Sequence, residues 1–426
     1  MNSAIRPRLA TEVALRKLAG ARGVIINGPR QSGKSELLRL LHHQLGGTLL
    51  TLDQPQHLRQ ARMDPTGFVE DRARPLMIDE VQRGGDPLVL ALKIALDASR
   101  DRGQVVLAGS TRFLTEPRLS ESLTGRVRFV DLWPFSQGEI DQTGSLSDRL
   151  LDRLLGSSDG LYKAGLGGPA LNRRQVYARL CIGGFPEAVL AADARDRTEF
   201  FADYVRTISQ RDITELGRIA ERIELPVVLR LLAERTAGIL NAATLAQAVG
   251  ITEESMRRYL PLVETVFLTY RLPAFAATTA ARTRRRPKIH MTDTGLAAAL
   301  LGVTPDRLLD PASCLVGQLL ETFVVMELVK QMTWSTEQVS LSHYRDADGR
   351  EVDLVVETPD GRVAGVEVKA AVDVDQRDFR HLAYLRDRLG GRFTNGVVLH
   401  CGREPARWGD RLVSLPAAQL WTAIDG

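Results

Sequence analysis

The chain has 426 residues, 44% of them hydrophobic and 25% charged, with a net charge of +4. This is room for about two to four domains of ordinary globular composition, which excludes a disordered or fibrous chain. Three scattered cysteines, Cys181, Cys314 and Cys401, exclude a disulfide framework or a zinc ribbon and suit a reducing cytoplasm, and no run of 18 apolar residues predicts a membrane span.

Around Glu12 to Leu18 the pattern predicts a helix ahead of the first strand, Val24 to Asn27. Gly28-Pro29-Arg30-Gln31-Ser32-Gly33-Lys34-Ser35 then matches the phosphate-loop pattern, with two glycines at the required separation. Glu36 to Leu45 follows as an amphipathic helix, with Leu37, Leu38, Leu41 and Leu45 expected on one side. Glycines let backbone amides approach phosphate oxygens, and the helix start adds free N–H groups. Residues 28–36 are therefore the candidate nucleotide contacts, with Lys34 on the outer phosphates and Ser35 on Mg²⁺. A Gly-rich turn that binds nothing is the bland alternative, and the strand–loop–helix context argues against it.

Thr48 to Leu52 reads as the next strand. Arg74-Pro75-Leu76-Met77-Ile78-Asp79-Glu80 reads as a buried strand ending in two carboxylates, the Walker B pattern. Asp79 is expected to hold Mg²⁺ through water, and Glu80 to act as general base on the attacking water. Gln104 to Gly109 is a further apolar strand, ending in Ser110-Thr111-Arg112. Strands alternating with helices imply a parallel sheet covered on both faces.

At this point the chain resembles, over essentially its whole length, the AAA-type ATPases of bacteria and archaea that carry a fused C-terminal domain of unknown function. Gly28 to Ser35, Leu76 to Glu80, Ala108 to Ser110 and Leu123 to Arg126 carry the resemblance. Leu132-Trp133-Pro134-Phe135-Ser136 with Glu139, and Gly183-Gly184-Phe185-Pro186-Glu187, continue it without explaining themselves. The resemblance implies an additional-strand ATPase in which Ser110 or Thr111 senses the terminal phosphate, or merely caps the next helix. It implies that Arg126 or Arg128 is either an arginine finger serving a neighbouring subunit or a solvated surface arginine. The finger would require a homo-oligomer.

Ser145 to Arg173 reads as an insertion or linker with one short helix, followed by helices at Val176 to Leu180, Glu187 to Ala192 and Glu199 to Arg218. In the last, Arg211-Asp212 either faces the nucleotide or makes an ion pair. Ala242 to Thr252 and Glu253 to Leu262 form a helix-turn-helix signature, with Met256, Tyr259 and Leu260 inward and Arg257 and Arg258 outward. Val266 to Leu272 as a strand, the basic run Arg282 to Lys288 as a loop, and Ile289 to Met291 as a strand would complete a winged helix. The run is expected on DNA phosphates, through counterion release, or else as a solvated face.

Gly317 to Lys330 is an apolar helix carrying Glu321. Glu351 to Val356, the turn Thr358 to Gly361, and Arg362 to Lys369 form a hairpin. A turn centred on Asp360 sets Asp353 opposite Glu367, a like-charge pair that a divalent cation would relieve, with Lys369 on the same face. The order Glu321, Asp353, Glu367, Lys369 is similar to the PD-(D/E)xK nuclease arrangement. The resemblance implies metal-binding acids at Asp353 and Glu367, a helix acid at Glu321, a catalytic lysine at Lys369, and Mg²⁺-dependent phosphodiester hydrolysis. Val397 to His400 and Leu412 to Leu415 are further strands.

The expected architecture is α/β throughout: a P-loop ATPase core over residues 1–140, a helical and winged-helix middle over 141–310, and a nuclease-like domain over 311–426. ATP, Mg²⁺ and DNA are the expected ligands. The competing expectations are an ATP-gated DNA-binding switch with a retired nuclease fold, and a protein-remodelling ATPase.

Overall fold

The computed structural model describes residues 6–109, 123–143, 149–166, 171–210, 224–276 and 279–421. The chain divides into two compact units, residues 1–135 with 265–267, and residues 136–264 with 268–426.

In the first unit, helix α1 (Leu9–Gly20) precedes β1 (Gly23–Asn27). Helix α2 (Lys34–Leu45), β2 (Thr48–Thr51), β3 (Leu76–Asp79), α3 (Gly85–Ala98), β4 (Val105–Gly109) and β5 (Val127–Asp131) follow. The sheet is parallel throughout, in the order β2-β3-β4-β1-β5. Strand β4 thus lies between β1 and β3, the additional-strand order. All five β1 residues are buried, as a central parallel strand requires. Ile25, Ile78, Val105, Leu107, Leu88 and Leu92 meet in one core cluster, each contributing about 2 kcal/mol relative to exposure. Leu37, Leu38 and Leu41 face inward as expected, but Leu45 is 39% exposed, because α2 ends there at Gly46.

In the second unit, the stretch expected as a linker with one short helix holds two among its described residues, Leu150–Leu154 and Ser158–Leu166. Each is too short for a visible period, yet Leu150, Leu151, Leu154 and Leu161 are buried. Helices α4 (Arg173–Ile182), α5 (Ala194–Gln210) and α6 (Leu225–Glu234) come next. Arg211, Asp212 and Ile213 lie outside the described residues. The helix-turn-helix is formed by α7 (Ala242–Val249) and α8 (Glu253–Thr265). Gly250 at φ 78 makes the turn, and Thr252 Oγ1 accepts the Ser255 N–H at 3.1 Å. Met256, Tyr259 and Leu260 are buried. A small antiparallel sheet of order β6-β8-β7 accompanies it, from β6 (Gly238–Ile239), β7 (Thr269–Leu272) and β8 (Lys288–Met291). The basic segment is not all loop. Residues Thr279–Arg284 form helix α9, since Ala and Arg favour helix. Helix α10 (Thr294–Leu301) follows β8.

Helix α11 (Leu315–Trp334) is buried along most of its length. Beside it lies a six-stranded mixed sheet of order β13-β14-β12-β11-β10-β9. Its strands are β9 (Ser340–Arg345), β10 (Glu351–Glu357), β11 (Val363–Lys369), β12 (Phe393–His400), β13 (Ala406–Arg407) and β14 (Leu412–Pro416). Helix α12 (Arg380–Leu389) buries Leu382 and Leu385 against Val352, Val355, Val363 and Val398 of this sheet.

Two marks of the sequence resemblance have structural reasons. Ser136 and Glu139 are a capping box: Ser136 Oγ accepts the Glu139 N–H at 3.2 Å, and Glu139 Oε2 accepts the Ser136 N–H at 2.9 Å. Gly183 and Gly184 meet the buried Asp293, which caps α10. Asp293 Oδ2 accepts the Gly184 N–H at 2.7 Å, and Oδ1 accepts the Leu296 N–H at 2.9 Å. A Cβ on Gly183 would lie 2.1 Å from Asp293 Oδ1, at a φ of 73°.

Candidate functional site

Strand β1 delivers the phosphate loop, and its shape is fixed by backbone crowding. A Cβ on Gly28 would stand 2.2 Å from the Leu132 carbonyl oxygen, so only glycine lets the loop pass the end of β5. Gly33, at φ 95, makes the left-handed turn into α2. Lys34 is 5% exposed and curls back, its Nζ donating to the Gly28 and Pro29 carbonyls at 2.9 and 2.7 Å. Ser35 Oγ donates to Asp79 Oδ2 at 2.5 Å, which brings two oxygen donors together at the tips of α2 and β3. Ser32 is fully buried, and its Oγ has no hydrogen-bond partner among the described residues. Gln31 is exposed at φ 62, Arg30 is half-buried, and Glu36 turns away to pair with Arg39 at 2.6 Å.

Asp79 is the last residue of β3, and Glu80 lies just beyond it in the left-handed region at φ 52, ψ 40. That conformation costs a non-glycine residue on the order of 1 kcal/mol and marks functional turns. The Glu80 N–H donates to Asp79 Oδ1 at 3.0 Å, and Gln82 donates to the Glu80 carboxylate. Burial raises the Glu80 carboxyl above the usual range, against the opposing pull of Lys34, Gln82 and Arg30. A raised carboxylate is suited to accepting a proton.

Sequence reasoning missed Arg8. It is 7% exposed, donates to the Ser32 carbonyl at 2.8 Å and the Trp133 carbonyl at 2.7 Å, and lies 4.6 Å over the Phe135 ring. It ties the phosphate loop to the segment after β5 and gives Trp133 and Phe135 a role. No local pattern marks it. Ser110, Thr111 and Arg112 lie outside the described residues. Arg126 grips Asp97 of its own chain with two bonds, Nε to Oδ1 at 2.6 Å and Nη2 to Oδ2 at 2.7 Å.

In the second unit, β10 and β11 pair with Leu354 opposite Val366, Val355 opposite Gly365 and Val356 opposite Ala364. The same register one step further sets Asp353 opposite Glu367, as the turn predicts. Asp353 Oδ2 accepts the Val368 N–H at 2.9 Å, and Lys369 Nζ stands 3.3 Å from Glu367 Oε2. Glu321 is directed here from α11, but it meets a lysine. The Lys288 ammonium lies 2.7 Å from Glu321 Oε1, 2.7 Å from Glu351 Oε1 and 3.5 Å from Asp353 Oδ1. Among the described residues no group of three or more His, Cys, Asp or Glu side chains is arranged to hold a metal ion. The Lys288 ammonium thus stands between Glu321 and Asp353.

Lys288 is therefore not on the outward basic surface where the sequence set it; it is 2% exposed. Arg282 is ion-paired to Glu357 and donates to the Ala276 carbonyl at 2.8 Å, and Arg285 donates to the Arg345 carbonyl at 3.1 Å. Arg284 and Arg286 remain exposed. On α8, Arg257 and Arg258 do face outward, each paired with a glutamate one turn back. A cavity of about 570 Å³ is lined by Arg285, Arg286, Arg345, His343 and Asp346, with apolar residues among them.

Electrostatics follow the crowding. Burial alone would strip Lys288 of its proton, but Glu321, Asp353 and Glu351 outweigh it and hold the ammonium firmly charged. Burial, with Asp353 adding to it, pushes the Glu321 carboxyl up to about 8 despite Lys288. Glu367 is likewise pushed well above the carboxylate range, by burial and then Asp353. Burial and Lys288 hold His343 down at about 4.

The Glu321 shift links folding to pH. Unfolded, Glu321 loses its proton near 4.5; folded, it keeps it to about 8. The folded state binds the extra proton between those values, so stability falls as pH rises through that window. Glu321→Gln is expected to remove on the order of a few kcal/mol of the stability change across this window, read from urea melts at either end of it. A slope identical to wild type would remove Glu321 as its source.

A family model described as an AAA domain matches residues 21–141. Two others, described as domains of unknown function (DUF8612 and DUF4143), match 173–307 and 316–420. An uncharacterized protein of Mycobacterium tuberculosis is 27% identical over 408 residues, 96% of this chain and 82% of its own. An uncharacterized protein of Haemophilus influenzae is 21% identical over 387 residues, 85% of this chain and 86% of its own. Among solved structures, the Walker-type ATPase PABY2304 of Pyrococcus abyssi is 15% identical with a TM-score of 0.42, over 70% of this chain and 97% of that one. The RuvB Holliday junction branch migration motor of Thermotoga maritima is 16% identical with a TM-score of 0.29, over 69% and 94%. The AAA match and the five-stranded parallel sheet make residues 21–141 an AAA-type P-loop ATPase domain. No described helix is long and apolar enough to cross a membrane.

Proposed function

We propose that this protein binds and hydrolyses ATP at Gly28 to Ser35 and acts on DNA through its second unit, whose C-terminal part is nuclease-like. The observation that carries the ATP half is the contact between Ser35 Oγ and Asp79 Oδ2, with Glu80 one residue on. Those oxygens fit a magnesium ion, and the buried, unpartnered Ser32 hydroxyl fits phosphate. Bound there, Mg²⁺ would offset phosphate charge. Lys34 would exchange the Gly28 and Pro29 carbonyls for the outer phosphates, the amides at the start of α2 would donate, and Glu80 would take the proton of the attacking water. Arg126 would have to leave Asp97 to act on a neighbouring copy in a homo-oligomer.

The DNA half is supported by the cavity lined by Arg285, Arg286 and Arg345, and by a helix-turn-helix and three-stranded sheet read as a winged helix. Asp353, Glu367 and Lys369 would be the hydrolytic set. A division near residues 140 and 310 is supported by the spans of the three family models. Three free cysteines suit a cytoplasmic protein. A second reading, an ATP-gated DNA-binding switch with a silent nuclease fold, is favoured by the ammonium among the acids.

DNA binding and Mg²⁺-dependent cleavage by the full chain test both readings. Affinity is expected to fall roughly 40-fold between about 50 and 200 mM salt if three phosphates are neutralised. Lys369→Ala is expected to abolish cleavage and leave ATP turnover. Binding without cleavage under any divalent metal selects the switch. A flat salt response, or no binding, removes DNA from the function and leaves a protein-remodelling ATPase.

A further inference from the structure

We propose that Lys288 is the resident cation of the C-terminal acid pocket and competes with a divalent cation for the same carboxylate oxygens. The inference deepens the nuclease-like reading above and rests on it for the pocket's purpose, but not for its chemistry.

Three oxygens from two elements converge on one nitrogen. Glu321 Oε1 comes from α11, and Glu351 Oε1 and Asp353 Oδ1 from β10. The lysine arrives from a third element. Its backbone sits on the middle strand of the small sheet, opposite Ile239 of β6 and Leu272 of β7. A buried ammonium is tolerated only when paired, and here the partners are those a metal would use. Independently, Glu367 is 4% exposed, and its Oε1 is buried with no hydrogen-bond partner among the described residues, although Glu367 faces Asp353 across the hairpin. The pocket thus has more acceptors than its lysines satisfy.

A hard divalent cation draws carboxylate oxygens to about 2.0–2.6 Å. The oxygens now stand at ammonium distance. A dication and an ammonium within about 3 Å of each other repel too strongly to share the pocket. Binding one therefore requires withdrawal of the other, and the four-carbon lysine stem can swing where the strand cannot.

The test uses the full chain without nucleotide, in an Asp79→Asn background that silences the phosphate-loop oxygens, with Mn²⁺ as probe. Free Mn²⁺ is counted by electron paramagnetic resonance. The parent is expected to bind Mn²⁺ only weakly at an Asp353-dependent site, and Lys288→Met to bind it there with affinity on the order of 100-fold higher. Adding Asp353→Asn to Lys288→Met should abolish it. Should Lys288→Met not fold, judged by circular dichroism, Lys288→Gln, which keeps hydrogen-bond donors for the acids but carries no charge, takes its place in the same measurement. An Asp353-dependent Mn²⁺ site as tight in the parent as in Lys288→Met overturns the proposal. So does a folded Lys288→Met protein that binds Mn²⁺ no more tightly than the parent. DNA cleavage assayed in parallel separates the two readings. A variant that gains Mn²⁺ but cuts nothing keeps the exchange and removes the nuclease. Cleavage by wild type with no gain of Mn²⁺ in the variant does the reverse.

Discussion

Glu80→Gln is expected to bind ATP as wild type does and to lower turnover by roughly 100- to 1,000-fold, the scale of a lost general base. Glutamine keeps the shape and the left-handed backbone that Glu80 occupies. It also leaves the Ser35–Asp79 contact intact, so nucleotide affinity should hold. What it removes is an oxygen that can accept a proton. Single-turnover hydrolysis, set beside binding of a fluorescent nucleotide, reads the two separately. Undiminished hydrolysis would take Glu80 out of the chemistry. A pH profile adds a signature that a merely structural role would not give. Burial raises the Glu80 carboxyl, so the base is lost on acidification at a higher pH than an ordinary glutamate would be. Wild-type turnover should therefore fall on the acid side, and the glutamine variant should lack that limb.

Asp293→Ala is expected to destabilise the second unit by about 3 kcal/mol or more, seen as a lower midpoint in urea. The carboxylate is buried and accepts the N–H groups of Gly184 and Leu296 at 2.7 and 2.9 Å. Alanine leaves those donors buried and unpaired and removes the cap of α10. Asparagine should rescue only part of the loss. Its oxygen can replace one acceptor, but its amide then presents a donor to another donor. If Asp293→Ala unfolds at the wild-type midpoint, the Gly183-Gly184 turn is held by something else.

Local sequence made much of this legible, for reasons that can be named. Two glycines separated by four residues, an apolar run before them and a leucine-spaced helix after them are short-range steric facts, and they appear where expected, in β1 and α2. The left-handed Gly250 between α7 and α8 is another. The Asp353–Glu367 register follows from counting back from the turn at Asp360, since a two-residue period leaves little freedom. Of the two helices in 150–166 only one was legible, because so few turns carry no clear period.

Other features were decided by contacts across the chain. Gly28 is glycine because the Leu132 carbonyl, more than a hundred residues on, occupies the space of its side chain. Arg8 and Arg126 look like any surface arginine until the fold supplies Ser32, Trp133 and Asp97.

By itself, the sequence determined a phosphate loop with its paired acids, a helix-turn-helix, and a hairpin carrying opposed carboxylates, because each is set by sterics and periodicity over a few residues. Only the tertiary structure decided that Lys288 leaves the basic run and lies among Glu321, Glu351 and Asp353. These acids are 33 to 65 residues away from it in sequence. A charge attracts every opposite charge, so its spacing along the chain names no partner; burial selects one by making every unpaired arrangement too costly.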